Sequence, residues 1–214
     1  MILMSTMQNK NILEVENISK SFGRKLVLDK ASFVAEKGKV TSIVGENGSG
    51  KTTLLKIIVG MLSSDTGHVT RNGKLGFCPQ DRLVFPSLSI RENIKYFATA
   101  YGLNKNNEAS WKKTIDTYLD DFNLRSGVNT QVSKLSGGTR QKLNLILALI
   151  HSPDLLILDE PYASFDWESY LHFWELVEEL KAKGVSFLII SHLIYDRTNI
   201  DTIYSLKNGR LLCE

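Results

Sequence analysis

The sequence predicts an α/β fold in which parallel strands alternate with helices. Three observations support this fold class. Strand-like runs alternate with helical patterns along most of the chain, a glycine-rich loop directly follows an apolar strand, and a second apolar run ends in two carboxylates. The chain of 214 residues is long enough for one domain with its own core, and 43% hydrophobic and 23% charged residues exclude a disordered or fibrous protein.

Charge, cysteine content and hydropathy exclude several classes of protein. A net charge of +3, from 26 basic and 23 acidic residues, points to neither nucleic acid nor a membrane surface as a partner. Two cysteines, Cys78 and Cys213, are too few for a disulfide framework and predict a reducing compartment. No apolar run reaches the roughly 20 residues of a membrane helix, so a membrane span would have to come from another chain.

The N-terminal third predicts strands around a short helix. Residues 1–10 read as a loose N-terminus without the pattern of a signal peptide. Ile12–Ile18 alternates apolar and polar residues as a half-buried strand does, and 39–45 is a second strand that leads into the glycine-rich loop. A buried helix then closes at Gly60, and two strands are predicted to form a hairpin around Asn72-Gly73.

The middle of the chain changes to a helical period from Leu88 to Leu124, which predicts an all-helical insertion. The α/β alternation then resumes after Leu135. The predicted elements are a helix over 139–151, a strand over 155–158, a helix over 167–183, a strand over 185–190 and a terminal hairpin around Asn208-Gly209. Trp167 and Trp174 lie at helical spacing with Tyr170, which predicts packing rather than a recognition surface.

The glycine-rich loop fits the phosphate-loop pattern G-x-x-x-x-G-K-[ST]. Its glycines allow backbone N–H groups to point into one concavity, Lys51 adds a charge toward the β and γ phosphates, and the Thr52 hydroxyl can bind Mg²⁺. A chance glycine turn is the alternative, and the strand before and the helix after count against it. The predicted nucleotide-binding residues are Gly45, Glu46, Asn47, Gly48, Ser49, Gly50, Lys51, Thr52 and Thr53.

Asp159 and Glu160 end a fully apolar strand. In a parallel sheet the carboxyl ends of strands share one edge, so these carboxylates are predicted to lie near the phosphate loop. Asp159 is placed to bind Mg²⁺, and Glu160 could polarise an attacking water. An ordinary strand followed by a solvated acidic turn is the alternative.

Between these two motifs the chain reads Leu135-Ser136-Gly137-Gly138-Thr139-Arg140-Gln141. From Ile12 onward it resembles the ATP-binding cassette (ABC) family, whose signature has this pattern. The resemblance implies a P-loop NTPase core, with a parallel sheet flanked by helices and an N-terminal antiparallel β subdomain. It also implies a single ATPase domain over 11–214, with 81–138 as an inserted α-helical subdomain that carries the signature.

The resemblance assigns roles to four further residues. Phe22 matches the aromatic residue that stacks on adenine, with a core phenylalanine as the alternative. Gln80 matches the glutamine that touches Mg²⁺ and the attacking water, and Asp166 matches the aspartate of the dimer contact. His192 matches the histidine that reaches the γ-phosphate; a structural histidine is the alternative. Together with Glu160 and Lys51, Gln80 and His192 form the predicted catalytic set.

The resemblance also implies a head-to-tail dimer that hydrolyses ATP. Each ATP lies between the phosphate loop of one cassette and the signature of the other, whose contact residues are Leu135, Ser136, Gly137, Gly138 and Gln141. Three positions depart from the family pattern without removing a catalytic group: Tyr162, Phe165 and Leu193.

The predicted assembly is a homodimer or pseudo-dimer of cassettes on the cytoplasmic face of a membrane. A separate transmembrane permease is predicted to dock near 81–89, where Leu83, Val84 and Phe85 look exposed; core positions are the alternative. Transport is predicted, with export favoured because the chain ends soon after the last hairpin. A soluble cassette ATPase acting on ribosomes or DNA is the second hypothesis, and the absence of a basic patch and of a long insertion counts against it. A nucleotide sensor without turnover is disfavoured because every catalytic position is filled.

Overall fold

A computed structural model describes residues 10–80, 83–103, 108–192 and 197–214. The described chain forms two compact units. The first comprises the residues up to Gly73 together with Lys181–Glu214, and the second is Lys74–Leu180. In these residues no helix is both long and apolar enough to cross a membrane.

Strands and helices follow each other along the described chain. In chain order they are β1 (Asn11–Phe22), β2 (Lys25–Glu36), β3 (Val40–Val44), α1 (Lys51–Ile58), β4 (Thr66–Arg71), β5 (Leu75–Cys78), α2 (Ile90–Ala100), α3 (Glu108–Asp121), α4 (Gly137–Leu149), β6 (Leu155–Asp159), α5 (Trp167–Ala182), β7 (Ser186–Ser191), β8 (Thr202–Lys207) and β9 (Arg210–Cys213). A single 3-10 turn, Val132–Lys134, precedes α4.

The first unit combines an antiparallel and a mostly parallel group of strands. The antiparallel sheet has the order β2-β1-β4. In the other group β3 lies between β7 and β8 and is parallel to both, and β9 pairs antiparallel with β8. Every residue of β7 is buried, and its four central residues are all apolar, as is typical of a strand covered on both faces. The predicted terminal hairpin around Asn208-Gly209 is confirmed as the turn between β8 and β9.

Strand β2 is absent from the sequence prediction, and β1 extends four residues beyond its predicted end at Ile18. Two residues with a left-handed backbone explain both differences. Asn17 and Lys30 each have a φ of 51°, and the β1–β2 register shifts close to both. Such bulges reverse the face that a side chain occupies and interrupt the alternation by which strands are recognised.

The hairpin predicted at Asn72-Gly73 is wrong, because the strands on either side have different partners. β4 pairs antiparallel with β1, whereas β5 pairs parallel with β6. The Asn72 side chain donates to the Asn11 carbonyl at 3.0 Å, which keeps this turn on the edge of β1. An Asn-Gly pair therefore indicates a turn, whereas the burial of each strand decides which strand it pairs with. Most of β4 is exposed, while Gly76 and Cys78 of β5 are buried.

The second unit contains the parallel pair β5–β6 and helices α2 to α5. The predicted helix at 139–151 begins two residues earlier, at Gly137, and the predicted helix at 167–183 is confirmed as α5. Helix α2 begins with a complete capping box, in which the Ser89 and Glu92 side chains each bind the backbone N–H of the other. Trp174 is buried as predicted. Trp167 stacks on Tyr170 at a ring-centroid distance of 5.5 Å, as its helical spacing predicts, although it remains 71% exposed.

Candidate functional site

In the first unit, the chain between β3 and α1 forms a loop with two left-handed glycines. Gly48 has a φ of 80° and Gly50, the N-cap residue of α1, has a φ of 109°. The Ser49 N–H donates to the Glu46 carbonyl at 3.1 Å and closes the turn. A residue with a side chain is strained in this conformation, so the two glycines shape the loop.

Neighbouring chain segments press against this loop. A Cβ atom at Gly45 would lie 2.7 Å from the Leu206 carbonyl oxygen and 2.8 Å from the Ser49 hydroxyl. A Cβ atom at Gly50 would lie 3.1 Å from the Val27 carbonyl oxygen. Strands β2 and β8 therefore fix the loop from two sides, and it is held in shape before any ligand binds.

The polar groups of the loop suit a phosphate. The Lys51 ammonium group is almost buried and donates to the carbonyls of Gly45 and Glu46 at 2.6 and 3.0 Å. Ser49 Oγ is buried without a hydrogen-bond partner among the described residues. Helix α1 has neither a side-chain cap nor an acidic residue in its first turn, so its N–H groups and dipole favour an anion.

His192 lines the same cavity as the phosphate loop. The cavity has a volume of about 820 Å³, and its walls include Lys25 and Leu26 at the start of β2 and the turn between β8 and β9. Phe22 ends β1 and is 52% exposed, with the Lys20 ammonium 5.8 Å from its ring centroid. The alternative of a core phenylalanine is therefore wrong, and the ring is accessible for stacking.

In the second unit, Gln80, Asp159 and Glu160 lie at the same end of a strand pair. Cys78 is the register partner of Leu158 in the parallel β5–β6 pair, so Gln80 and Glu160 each follow two residues later. Asp159 is buried, whereas Gln80 is exposed. Glu160 has a φ of 50°, a strained backbone of the kind found at active sites.

The signature segment begins helix α4. Ser136 is its N-cap residue, and the exposed Ser136 Oγ accepts the Thr139 N–H at 3.1 Å and lies 2.7 Å from the Thr139 hydroxyl. A Cβ atom at Gly138 would lie 2.9 Å from the Ser164 carbonyl oxygen, so this glycine also allows a close backbone approach. Leu135 and Gly137 are half-buried, but Gln141 is buried and faces away from solvent.

Asp166 has a structural role besides the predicted dimer contact. Its carboxylate accepts the Ser169 N–H at 2.8 Å and thereby caps helix α5. Hydrogen bonds from the Ser169 side chain and backbone lower the Asp166 pKa, and nearby Lys142 acts in the same direction. Of the departures from the family pattern, Tyr162 and Phe165 pack against Phe173, with ring centroids 5.8 and 6.2 Å apart. The third, Leu193, lies outside the described residues.

The predicted Mg²⁺ ligands have suitable chemistry. Thr52 offers a hydroxyl, Asp159 a carboxylate and Gln80 an amide oxygen, and Mg²⁺ prefers oxygen ligands together with substrate phosphates. No group of three or more His, Cys, Asp or Glu residues that could hold a metal ion is present in the described part of the chain.

The predicted docking loop is only partly exposed. Leu83 and Phe85 are exposed, but Val84 is buried, so the exposure predicted for Val84 is wrong. Asn93, which the sequence prediction missed, explains the difference. Its fully buried amide accepts the Phe85 N–H at 2.8 Å and donates to the Phe85 carbonyl at 3.1 Å, which fixes the loop against α2. Asp81 and Arg82 lie outside the described residues.

These features define a P-loop nucleotide-binding protein, and comparison with known proteins identifies its family. The ABC transporter family model matches residues 28–163. An ABC transporter ATP-binding protein of Methanocaldococcus jannaschii, described as uncharacterised, is 33% identical over 92% of this chain and 75% of its own length. The chain belongs to the ABC transporter ATP-binding family, whose members are ATP-hydrolysing transporter subunits.

Relatives with named cargoes include proteins of both transport directions. A zinc import ATP-binding protein of Rickettsia conorii is 34% identical over 95% of this chain and 86% of its own length. A Nod factor export ATP-binding protein of Burkholderia lata is 30% identical, with 94% and 70% covered. An ABC transporter G family member of Dictyostelium discoideum is longer, and this chain spans 30% of it.

Solved structures confirm the fold class. The structure of an ATP-binding subunit of an ABC transporter superposes with a TM-score of 0.87, at 28% identity over 94% of this chain and 88% of the other. The ADP conformation of an ABC transporter cassette gives a TM-score of 0.79, at 29% identity over 94% and 89%. The predicted P-loop ABC fold, and with it ATP as the ligand class, agrees with both.

Proposed function

We propose that this chain is the motor subunit of a membrane transporter and works as a head-to-tail pair of cassettes. The observation that carries the proposal is the exposed Ser136 at the start of α4. This residue and the phosphate loop belong to different compact units of the chain, and both segments offer hydrogen-bond donors at a helix N-terminus. A homodimer or a pseudo-dimer would supply the two halves of each nucleotide site.

In this dimer each ATP is held by the phosphate loop of one cassette and the signature of the other. Ser136 and the N–H groups of Gly137 and Gly138 suit the γ-phosphate, because a helix N-terminus favours negative charge. Hydrolysis removes the phosphate that bridges the two molecules, and the interface loosens. The interface thereby acts as a two-state element whose equilibrium depends on the bound nucleotide.

The reaction is an in-line attack of water on the γ-phosphorus, with cleavage of the bond to the β–γ bridging oxygen. Glu160 orients the water, and His192 holds the water and the γ-phosphate. Lys51 offsets the charge that develops on the phosphoryl oxygens. Mg²⁺, held by Thr52, Asp159 and Gln80, would supply further charge stabilisation.

Replacement of Glu160 by glutamine tests this assignment. Because the amide cannot polarise the water, we expect phosphate release to fall at least about 100-fold. ATP binding should persist, so light scattering with ATP and Mg²⁺ should show a molecule of about twice the monomer mass. Hydrolysis by Glu160→Gln at the parent rate would remove Glu160 from the mechanism.

The permease is proposed to dock on the aromatic surface around Phe85. Phe85 contacts Tyr96 of α2 at a centroid distance of 4.6 Å, and both rings are partly exposed, as is Leu83. Beside them a groove of about 490 Å³ is lined by residues of α2 and by Leu88. Exposed aromatic and aliphatic side chains of this kind are typical of protein interfaces.

Polar replacements on this surface test docking. We expect Leu83→Ser with Phe85→Ser to release the protein from membranes that contain its permease, because the apolar contact is lost, while ATP binding persists. Leu171→Ser, at an exposed position of α5, is the matched control and should stay bound. Sedimentation with membrane vesicles measures the bound fraction. Unchanged association of the double variant would contradict docking at this surface.

Location and direction complete the proposal. A cassette that docks on a permease is peripheral to the cytoplasmic face of the membrane. Export stays a prediction, since the named relatives include an importer and an exporter. Co-sedimentation with ribosomes or DNA instead of membranes would favour the second hypothesis, a soluble cassette ATPase.

A further inference from the structure

Strand β5 lies along one face of helix α4 and the turn that ends it. A Cβ atom at Gly76 would lie 2.5 Å from the Ala148 carbonyl oxygen of α4. The Leu75 carbonyl oxygen lies 2.9 Å from the Nε2 atom of His151. The Cys78 sulfur accepts hydrogen bonds from the side-chain amides of Asn144 at 3.3 Å and Gln141 at 3.8 Å. The residues that make these contacts are Gln141, Asn144, Ala148 and His151.

The spacing of these four residues places them in one row. Steps of three, four and three residues follow one face of a helix. The contact at Gly76 leaves no space for a side chain, so the strand and the helix cannot slide without a clash. Helix α4 and strand β5 therefore form a rigid pair.

Asn144 extends this contact beyond the end of the strand. Its side chain is 2% exposed, and its amide nitrogen lies 3.1 Å from the Pro79 carbonyl oxygen and 3.3 Å from the Cys78 sulfur. The Pro79 carbonyl and the Gln80 amide nitrogen belong to the same planar peptide group. The Asn144 amide therefore fixes the peptide plane from which Gln80 starts.

The bond to the Pro79 carbonyl is the stronger of the two contacts. Thiol sulfur is a weak acceptor, whereas a carbonyl oxygen is a strong one. The bond from the Asn144 amide to the Pro79 carbonyl is therefore the contact that holds the start of Gln80.

We propose that Asn144 is a positioning residue for Gln80 and couples Gln80 to helix α4. The inference rests on the proposed role of Gln80 in the reaction. Because α4 begins at the signature segment, a shift of this helix moves the Pro79–Gln80 peptide through one hydrogen bond. The occupancy of the signature in one nucleotide site would thus influence the placement of Gln80 in the other.

Steady-state ATP hydrolysis by Asn144→Leu tests the proposal. Leucine has a similar volume and no donor, so Gln80 loses its anchor while the helix remains packed. We expect kcat to fall about tenfold, the factor that corresponds to loss of one hydrogen bond to a buried group. KM for ATP should change less than twofold, because the phosphate loop is untouched. A parent-like kcat would overturn the proposal.

A double variant separates positioning from general destabilisation. In a Gln80→Ala background, Asn144→Leu should lower kcat by less than twofold, because its effect acts through Gln80. Leu145→Ala, a buried position on the same helix, is the packing control and should retain the parent kcat per folded molecule. The proposal would be overturned if the losses in kcat of Gln80→Ala and Asn144→Leu multiply in the double variant. It would also be overturned if Leu145→Ala loses as much kcat as Asn144→Leu. If Asn144→Leu does not fold, Asn144→Ser, which is too short to reach Pro79, replaces it in the same comparison.

The Gln80→Ala variant also separates a wrong role for Gln80 from a wrong role for Asn144. If Gln80→Ala retains the parent kcat, the role of Gln80 itself is wrong and the inference falls with it. If Gln80→Ala loses activity and Asn144→Leu does not, only the inference about Asn144 is wrong.

Discussion

At the scale of single residues, some of the residues that shape the candidate site could be predicted from the sequence and others could not. The position of the phosphate loop between a strand and a helix could be predicted, because the residues of the motif are contiguous. Asn93 and Asn144 could not be predicted, since each binds a backbone carbonyl outside its own helix: that of Phe85 in the loop before α2, and that of Pro79 after β5. Nothing in the local sequence marks a buried amide as a clamp, and its partner becomes known only from the packing.

The two cysteines provide a prediction at this scale. Cys78 is fully buried with its pKa raised to about 12, and Cys213 is exposed. Thiolate is the reactive form, so maleimide at pH 8 should modify one cysteine in the folded protein and two after denaturation. Mass spectrometry counts the adducts. Cys213→Ser should take up no adduct while folded, and rapid modification of Cys78 in the folded protein would contradict the buried position.

At the scale of secondary-structure elements, prediction depended on how regular the pattern is. Strands β6 and β7 each contain four consecutive apolar residues and could be predicted, whereas the bulge at Lys30 conceals β2. The Asn72-Gly73 pair predicted a turn correctly but could not specify the partners of β4 and β5. Strand partners depend on tertiary burial, which a two-residue signal does not contain.

The capping box of α2 gives a prediction for an element. Ser89→Ala removes the hydroxyl that accepts the Glu92 N–H, and we expect the free energy of unfolding to fall by about 1 kcal/mol. Ser87→Ala, at an exposed position in the same loop, is the control and should leave it unchanged. Urea denaturation measures both. Equal stability of Ser89→Ala and the parent would contradict the role of the cap.

The effect of the cap should depend on pH. Hydrogen bonds from the Ser89 backbone and side chain lower the Glu92 pKa in the folded protein. A carboxylate whose pKa is lowered by folding stabilises the folded protein at pH values above its ordinary pKa. This stabilisation is lost as the pH falls through the pKa of the folded state. The difference in the free energy of unfolding between the parent and Ser89→Ala should therefore be largest at pH 7 and become smaller at acidic pH. A difference that grows as the pH falls would contradict this linkage.

At the scale of the whole molecule, the central claim is that each nucleotide site is shared between two chains. Lys51→Ala disables the phosphate loop and leaves the signature intact, whereas Ser136→Arg blocks the signature and leaves the phosphate loop intact. In a mixed homodimer these variants would together form one complete site and one doubly defective site. Activity should therefore appear when two inactive proteins are combined.

The most direct test is ATP hydrolysis by an equal mixture of Lys51→Ala and Ser136→Arg. We expect each protein alone to be inactive and the mixture to reach roughly a quarter of the parent rate, since half of random pairs are mixed and each has one intact site. A mixture of Lys51→Ala with the Lys51→Ala, Ser136→Arg double variant should stay inactive. No recovery in the first mixture would contradict a site shared between chains.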